Sequence, residues 1–309
     1  MMKMIKNKMN QKSSVSLGSF LLALLLFFAA CSETQPPIDE PEDLSMYITE
    51  VFEYVYAPGQ HAQGRTADEK NKFIGKPDSD LYLGGFGGFV IAGFDHNIVN
   101  IADKFDFEIF SSGASPEPAI VYVMCDENGN GKPDESETWY ELKGSEFGKS
   151  ETIRNYSLTY YKAKSDSANI TWKDNQKNLG ELISGYSGKY TSGWWWNETA
   201  ADSITFTGTR LPDAYVNKPA DNMPQNWVVP DTLFAWGYAE NNRAEDYDKT
   251  AKSNRFDISN AVDENGNPVA LEHIRFIKIQ TAVFQRAGWL NEVSSEVKGA
   301  RDLHYPEKF

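Results

Sequence analysis

The chain has 309 residues, of which 44 are acidic and 30 basic, so its formal net charge is −14. A polyanion of this kind does not attract phosphate backbones, which argues against nucleic acid as a partner. Aromatic residues make up 13% of the chain, and the apolar runs are short and bounded by Gly, Asn, Asp and Pro. This pattern is typical of a β protein.

Residues 1–30 are predicted to be a lipoprotein signal peptide. They contain four Lys and no acid, and the apolar run LGSFLLALLLFFAA ends in small residues directly before Cys31. The run is too short to span a bilayer comfortably, and its last residues together with Cys31 resemble a bacterial lipobox. We therefore expect lipidation at Cys31 and attachment to a membrane through the lipid anchor only. An ordinary secretory signal with an unrelated cysteine is the alternative.

Residues 31–45 are predicted to be a flexible tether. The segment CSETQPPIDEPEDLS is acidic, rich in Pro and free of aromatics, so it cannot bury enough apolar surface to become ordered. Acids soon after a lipidated cysteine resemble the surface-export signals of Bacteroidota lipoproteins. We therefore expect the protein at the outer membrane, exposed on the cell surface. Removing residues 1–30 leaves 26 basic and 44 acidic residues, a net charge of −18.

Residues 46–309 are predicted to form an all-β domain, a jelly-roll-like two-sheet β-sandwich with long loops. Whether a sub-boundary exists near 165–180 stays open. Several segments alternate apolar and polar residues with the period of a strand, so that Tyr156, Leu158 and Tyr160 share one face. The predicted strands are 46–57, 83–94, 106–112, 119–125, 138–144, 155–163, 169–172, 203–211, 232–239 and 274–284.

Four glycines, at positions 84, 85, 87 and 88, precede the apolar segment FVIAGF. A nucleotide-binding loop would require a helix after the glycines, whereas another strand is predicted here. Glycines in such a position more often mark a bulge or the close approach of another backbone.

The segment DENGNGKPDESE at residues 126–137 satisfies a calcium-loop template at every position. Short oxygen-bearing side chains alternate before Gly131, and a Glu follows at the twelfth position, which suits the oxygen-rich sphere that calcium prefers. The flanking segments are predicted strands, so the loop lacks the helices of an EF-hand. We predict structural Ca²⁺ bound by Asp126, Asn128, Asn130, Lys132 through its carbonyl, Asp134 and Glu137.

A polar turn between two strands is the alternative interpretation of this loop. The chain repeats DENGN at residues 263–267, where Pro268 follows and the apolar Ile274 occupies the twelfth position. That second copy is predicted to be a hairpin turn, so DENGN alone does not identify a metal site.

Three consecutive tryptophans follow Gly193 in a segment with loop-like flanks. On a strand, alternate side chains point to opposite faces, so at least one indole is expected at the surface, where it can stack on a planar ligand. Burial of the indoles at one end of the sandwich is the alternative. The predicted ligand-binding residues are Trp194, Trp195, Trp196, Asn197, Tyr186 and Tyr190.

No catalytic signature stands out in the sequence. The four His are scattered, no phosphate-binding loop or nucleophile motif is recognised, and the separation of paired carboxylates cannot be obtained from sequence. We therefore predict a protein without enzymatic activity. A glycoside hydrolase is the weakest of the functions considered.

Many segments between residues 48 and 305 resemble Bacteroidota surface lipoproteins described as "cell surface protein" or PKD-like. Among them are VFEYVYAPGQ, LGGFGGFVIAGFDHNIVN, PAIVYVMCDENGNGKPDE, FDISNAVDENGNPV and IRFIKIQTAVFQRAGWLNEVSSEVKGARDLH. The resemblance implies an all-β sandwich on the outer membrane, associated with TonB-dependent uptake systems that include vitamin B12 acquisition. FSSGASPEPA is shorter than the insert expected there, and NRAEDYDKTAKSN is charged, so loops near a ligand site can differ.

The resulting hypothesis is a surface lipoprotein that binds a small-molecule or glycan ligand, either vitamin B12 or a saccharide, and passes it to a TonB-dependent outer-membrane transporter. The alternative is an adhesin or structural coat protein whose exposed aromatics contact another protein.

Overall fold

The computed structural model describes residues 44–59, 66–113, 115–164, 168–182, 201–219, 227–230, 233–287 and 292–305. Within these ranges the regular structure consists of β-strands and two 3-10 helices, Ala67–Phe73 and Ile258–Asn260. The strands are β1 (Glu50–Val55), β2 (Leu81–Gly84), β3 (Phe89–Val99), β4 (Phe107–Ser111), β5 (Ala119–Met124), β6 (Tyr140–Leu142), β7 (Ile153–Tyr161), β8 (Ile170–Asp174), β9 (Leu179–Leu182), β10 (Ser203–Arg210), β11 (Val216–Asn217), β12 (Trp227–Val228), β13 (Tyr247–Asp248), β14 (Ser253–Phe256), β15 (Ala261–Val262), β16 (His273–Thr281) and β17 (Ser295–Asp302).

Two antiparallel sheets form the body of the sandwich. The six-stranded sheet has the order β1-β3-β16-β5-β6-β15, and the five-stranded sheet has the order β13-β14-β4-β17-β2. Both sheets contribute to one core, in which Val121 and Ile277 come from the first sheet and Ile109 and Val297 from the second. All four side chains are fully buried.

Alternation along β16 assigns its residues to two faces of the six-stranded sheet. Ile277 and Ile279 belong to the core between the sheets. Phe276, Lys278 and Gln280 therefore point to the opposite side, which we call the outer face. A polar residue such as Lys278 can occupy a central strand because it lies on this outer face.

A four-stranded sheet, β10-β7-β8-β9, packs with this body. The predicted shared face of β7 is confirmed, because Tyr156, Leu158 and Tyr160 are all fully buried. The Tyr160 hydroxyl donates to the Phe86 carbonyl at 3.0 Å. The amide of Gln280, on the outer face, donates to the carbonyls of Gly87 and Thr207 at 2.8 and 3.3 Å. β11 and β12 form a separate two-stranded pair.

The glycine-rich segment is a turn between β2 and β3 and is followed by a strand. Gly87 has φ +94°, and a Cβ placed there would lie 2.1 Å from the Cβ of Phe206. A Cβ on Gly88 would lie 1.7 Å from the Leu83 carbonyl oxygen. The expected close approach of other chain segments is therefore confirmed, and only glycine fits at these positions.

The all-β sandwich expected from the sequence is confirmed. The prediction of a strand at 232–239 is wrong, because residues 233–239 form only an isolated bridge, between Ala239 and Ala119. Gly237 interrupts the extended conformation with φ +90°, and its Cβ would lie 2.4 Å from Gly144 Cα. The sequence interpretation also missed β17, a central strand of the five-stranded sheet.

Candidate functional site

The predicted calcium loop, between β5 and β6, is organised around the carboxylate of Asp126. One oxygen accepts the N–H of Asn130 at 3.0 Å, and the other accepts the N–H of Gly131 at 2.9 Å. Gly129 and Gly131 both have positive φ, +70° and +74°. The two glycines allow the chain to curl tightly around a carboxylate whose own exposure is 2%.

The remaining acids of the template fold back onto this loop. The side-chain amides of Asn128 and Asn130 both donate to Oδ2 of Asp134 at 2.9 Å. Oε1 of Glu137 accepts the N–H of Glu127 at 2.9 Å. The structure thus joins the predicted ligand side chains in one hydrogen-bonded loop, although the helices of an EF-hand are replaced by strands.

Charge in the loop is uneven. Hydrogen bonds from Ser136, Asn128 and Asn130 lower the pKa of Asp134 to about 2, so this carboxylate is ionised at neutral pH. Arg275 Nε lies 3.6 Å from Asp126 Oδ2 and offsets part of the negative charge. A cation bound here would compete with that guanidinium for Asp126. We therefore expect a low affinity for calcium, as in the calcium sites of extracellular modules.

The residues present fit calcium in chemistry. Three carboxylates, two amide oxygens and the Lys132 carbonyl supply the roughly six to eight oxygens that calcium takes. The carboxylates of Asp126, Asp134 and Glu137 do not all lie within 4.8 Å of one another. Calcium binding therefore requires these side chains to close in around the ion and the asparagine amides to turn their oxygens inward.

The second DENGN segment is a turn, as predicted. Asp263 accepts the N–H groups of Asn265 and Asn267, both at 2.8 Å, and Val262 bridges Pro268 across the turn. The aspartate therefore organises its turn much as Asp126 does. The buried Ile274 occupies the position that Glu137 has in the first copy. The second copy therefore lacks the carboxylate that in the first copy accepts the N–H of Glu127.

The other predicted site residues lie outside the described residues. These are the lipidation residue Cys31 and the predicted ligand-binding residues Tyr186, Tyr190, Trp194, Trp195, Trp196 and Asn197. Their roles stay predictions.

A cavity of about 270 Å³ lies between the four-stranded sheet and the segments that follow β2 and β16. We call it the aromatic cavity. Its apolar wall comes from strands and loops that are far apart in sequence. Polar side chains, among them Glu181, Arg286 and Glu292, also line it. The aromatic residues of the wall are Phe86, Tyr160, Trp172 and Phe284.

Ring packing fixes the orientation of the half-buried Trp172 in this wall. Its ring centroid lies 5.0 Å from that of Phe284, and the two planes meet at 86°. A Cβ on Gly180, in the neighbouring strand β9, would lie 2.7 Å from Trp172 Cζ2. The absence of a side chain at Gly180 therefore lets the indole lie against β9.

No signal in the sequence identifies the aromatic cavity. Tyr160 and Trp172 lie on paired strands, in direct register, but Phe284 follows β16 more than a hundred residues later. The alternation of aromatics in β7 predicts a buried face. It does not predict which loop covers that face, because this depends on how the sheets pack.

Three glutamates, Glu117, Glu240 and Glu296, form an acidic cluster in which their carboxylate oxygens lie within 4.8 Å of one another. Glu240 is fully buried. The Ser112 hydroxyl donates to it at 3.0 Å, and the backbone N–H of Glu296 donates to its second oxygen. Burial, reinforced by the neighbouring carboxylates, raises the pKa of Glu117 and Glu240 well above the usual range.

Comparison with known proteins adds no assignment: the chain matches no protein-family model, and no curated protein is significantly similar to it. Within the described ranges, no helix has both the length and the apolar character required to cross a bilayer.

Proposed function

We propose that the protein is a non-enzymatic, lipid-anchored cell-surface protein that binds a saccharide ring in the aromatic cavity. In this proposal it passes the ligand to a TonB-dependent outer-membrane transporter, and the calcium loop braces the sandwich. The observation that carries the proposal is the aromatic cavity, in which the half-buried indole of Trp172 packs against the Phe284 ring beside polar side chains.

The size of the cavity favours a saccharide over vitamin B12. Pockets that enclose drug-sized ligands usually measure roughly 300–1,000 Å³, and the aromatic cavity measures about 270 Å³. One sugar ring fits such a space, whereas a corrin ring with its substituents does not. Aromatic faces stack on the apolar side of a sugar, and Glu181, Arg286 and Glu292 offer hydrogen bonds to its hydroxyl groups.

The acidic cluster takes no part in the proposed saccharide site. Glu240 is fully buried, and neither it nor its two neighbours, Glu117 and Glu296, lines the aromatic cavity.

Isothermal titration calorimetry tests this proposal. The full-length protein is titrated with a panel of neutral oligosaccharides and with cyanocobalamin, and the titrations are repeated with Trp172→Ala. The control is Trp236→Ala, which removes another half-buried indole that does not line the aromatic cavity. We expect saturable binding of one or more saccharides, weakened at least tenfold by Trp172→Ala and unchanged by the control.

A second variant tests whether a loss of binding reflects the site itself and not misfolding of Trp172→Ala. Gly180→Ala displaces the Trp172 indole but removes no side chain that contacts the ligand, so it should weaken saccharide binding in a protein with an unchanged circular dichroism spectrum. Absence of heat with every saccharide and with cyanocobalamin would contradict the proposal and favour the adhesin alternative. If neither Trp172→Ala nor Gly180→Ala changed the affinity for the saccharide, the binding site would lie outside the aromatic cavity.

A further inference from the structure

Lys278 is an unusual residue at the centre of the six-stranded sheet. It lies on β16, directly opposite Tyr122 of β5, and points to the outer face. Its ammonium group lies 4.6 Å from the ring centroid of Phe89 and 5.5 Å from that of Tyr122. Among the residues that the structure describes, the contacts of this ammonium group are the two aromatic rings, and it forms no hydrogen bond or ion pair.

A second cavity, of about 220 Å³, opens beside Lys278, and we call it the lysine cavity. It lies between the outer face of the six-stranded sheet and strands β7 and β10. The half-buried Trp139 gives it an aromatic wall together with Tyr122. Hydroxyl and amide groups supply much of the remaining lining, from Asn155, Thr207 and Thr209.

The other buried charges of the lysine cavity already have partners. Glu141 accepts a hydrogen bond from the Thr209 hydroxyl at 2.6 Å, and Arg154 Nε lies 3.5 Å from the same oxygen. The terminal nitrogens of Arg154 donate to the carbonyls of Asp263 and Glu264 at 2.8 and 3.1 Å. Arg154 is therefore already paired, and among the described residues that line the lysine cavity Lys278 is the cation available to an anionic ligand.

We propose that the lysine cavity binds a ring-sized acidic sugar, such as a uronic acid, and that Lys278 pairs with its carboxylate. The volume admits about one sugar ring. Trp139 and Tyr122 offer aromatic surface to that ring, and the threonine hydroxyls offer hydrogen bonds. Acids on the walls, Glu141, Asp263 and Glu264, disfavour a dianion such as phosphate, which leaves a monoanion as the best match.

The electrostatics of Lys278 support this choice. Burial lowers the pKa of its ammonium group, and the charge of Glu53 opposes the shift. An anionic ligand stabilises the charged amine where the protein supplies mainly aromatic faces. The site is independent of the aromatic cavity, so either proposal can fail without the other.

Calorimetry with D-glucuronate and D-glucose tests the proposal on the full-length protein and on Lys278→Met. The matched control is Lys173→Met, because Lys173 also lies over an aromatic ring, Tyr161 at 5.5 Å, but does not line the lysine cavity. We expect glucuronate to bind at least tenfold more tightly than glucose. We also expect Lys278→Met to weaken glucuronate binding at least tenfold, whereas Lys173→Met and Trp172→Ala leave it unchanged.

Reductive ¹³C-methylation of lysines provides a readout that does not depend on folding of the Met variant. In the wild-type protein the dimethyl-Lys278 resonance, assigned with Lys278→Arg, should shift on addition of glucuronate but not of glucose. Equal binding of the two sugars, full affinity in Lys278→Met, or a dimethyl-Lys278 resonance that does not respond to glucuronate would each overturn the proposal.

Discussion

The imidazole Nε2 of His96 lies 2.9 Å from a carboxylate oxygen of Asp302, 206 positions later in the chain. Its Nδ1 lies 2.9 Å from Asp95, so both ring nitrogens face carboxylates, an arrangement that suits the doubly protonated ring. The N–H of Asp302 also donates to the Met46 carbonyl at 2.9 Å. This buried group joins the first described residues to the last strand.

His96→Gln is expected to reduce stability in a pH-dependent way. Burial alone would lower the pKa of His96, but the hydrogen bonds and charges of Asp302 and Asp95 outweigh burial and raise it. Because the folded pKa exceeds the unfolded value near 6.5, the stabilisation is complete below about pH 6.5 and is lost as the pH rises through the folded pKa.

Urea unfolding checks this expectation. His96→Gln should lower the free energy of unfolding by about 1.5–3 kcal/mol at pH 5.5 and by clearly less at pH 8.5. Asp302→Asn, which keeps the size of the partner but removes its charge, should also flatten the pH dependence. A cost for His96→Gln that is equal at the two pH values would refute the assignment.

Calcium is expected to stabilise the protein through the first DENGN loop and not through the second. If calcium is present at about 100 times its dissociation constant, the stabilisation is about 2.7 kcal/mol. We expect the wild-type melting temperature to rise with calcium relative to EDTA. The variant Glu137→Gln, which removes the charge of the buried acid that folds back, should lose most of this rise.

The matched control for the calcium loop lies in the chain itself. Asp126 and Asp263 both accept backbone N–H groups of their own turns. Asp126→Asn should abolish the calcium-dependent rise in melting temperature, whereas Asp263→Asn should leave it intact. Differential scanning fluorimetry with and without EDTA distinguishes the two variants. If calcium raised the melting temperature equally in the wild type and in Asp126→Asn, the loop would be a polar turn and not a calcium site.

Local patterns in the sequence predicted much of the fold. Alternation in β7 identified its buried face, and Gly131 with Glu137 separated the first DENGN segment from the turn at Asp263. These features depend on residues within about twelve positions of one another, where backbone geometry alone brings side chains together. The close approach of other chain segments to Gly87 and Gly88 was also predictable, because glycines within such a segment mark positions where a side chain would clash.

The cavities could not be predicted because they depend on packing between distant segments. Lys278 in the sequence IRFIKIQ interrupts an apolar strand, and its surroundings depend on Tyr122 of the neighbouring strand β5 and on Thr209 of the four-stranded sheet. Strand β17, SEVKGARD, carries too few apolar residues to be recognised locally. It is held in the five-stranded sheet by its partners β4 and β2.

Glu240→Gln is expected to stabilise the protein above neutral pH. Burial and the charges of Glu117 and Glu296 raise the pKa of Glu240, so the protonated carboxyl is favoured in the folded state. The stability of the wild-type protein should therefore fall as the pH rises above the unfolded value near 4.5. The glutamine side chain is neutral at every pH, and its amide can donate to the Ser112 hydroxyl while its oxygen still accepts the Glu296 N–H.

Thermal unfolding at pH 4 and pH 8 gives the comparison for the acidic cluster. The free energy of unfolding of Glu240→Gln should exceed that of the wild type by about 1–3 kcal/mol at pH 8 and should be nearly equal to it at pH 4. A variant that is less stable than the wild type at pH 8 would show that the ionised Glu240 is compensated within the protein.

Gly87→Ala is expected to disrupt the docking of the four-stranded sheet on the sandwich. Gly87 has φ +94°, and its new Cβ would lie 2.1 Å from the Cβ of Phe206 in β10. Neither the strand nor the turn can yield locally, because Gly87 donates to the Thr281 carbonyl at 3.0 Å and Phe206 is buried. We expect a loss of more than about 3 kcal/mol in the free energy of unfolding.

Gly148→Ala separates backbone strain from this steric clash. Gly148 has a similar φ of +76° but nothing within 4 Å of the added Cβ. The control should therefore cost only the left-handed penalty of about 1–2 kcal/mol. Urea unfolding of the two variants, followed by tryptophan fluorescence, measures the difference. Equal losses would mean that the sheet moves to accommodate the methyl group, and that the contact between Gly87 and Phe206 does not hold the four-stranded sheet in place.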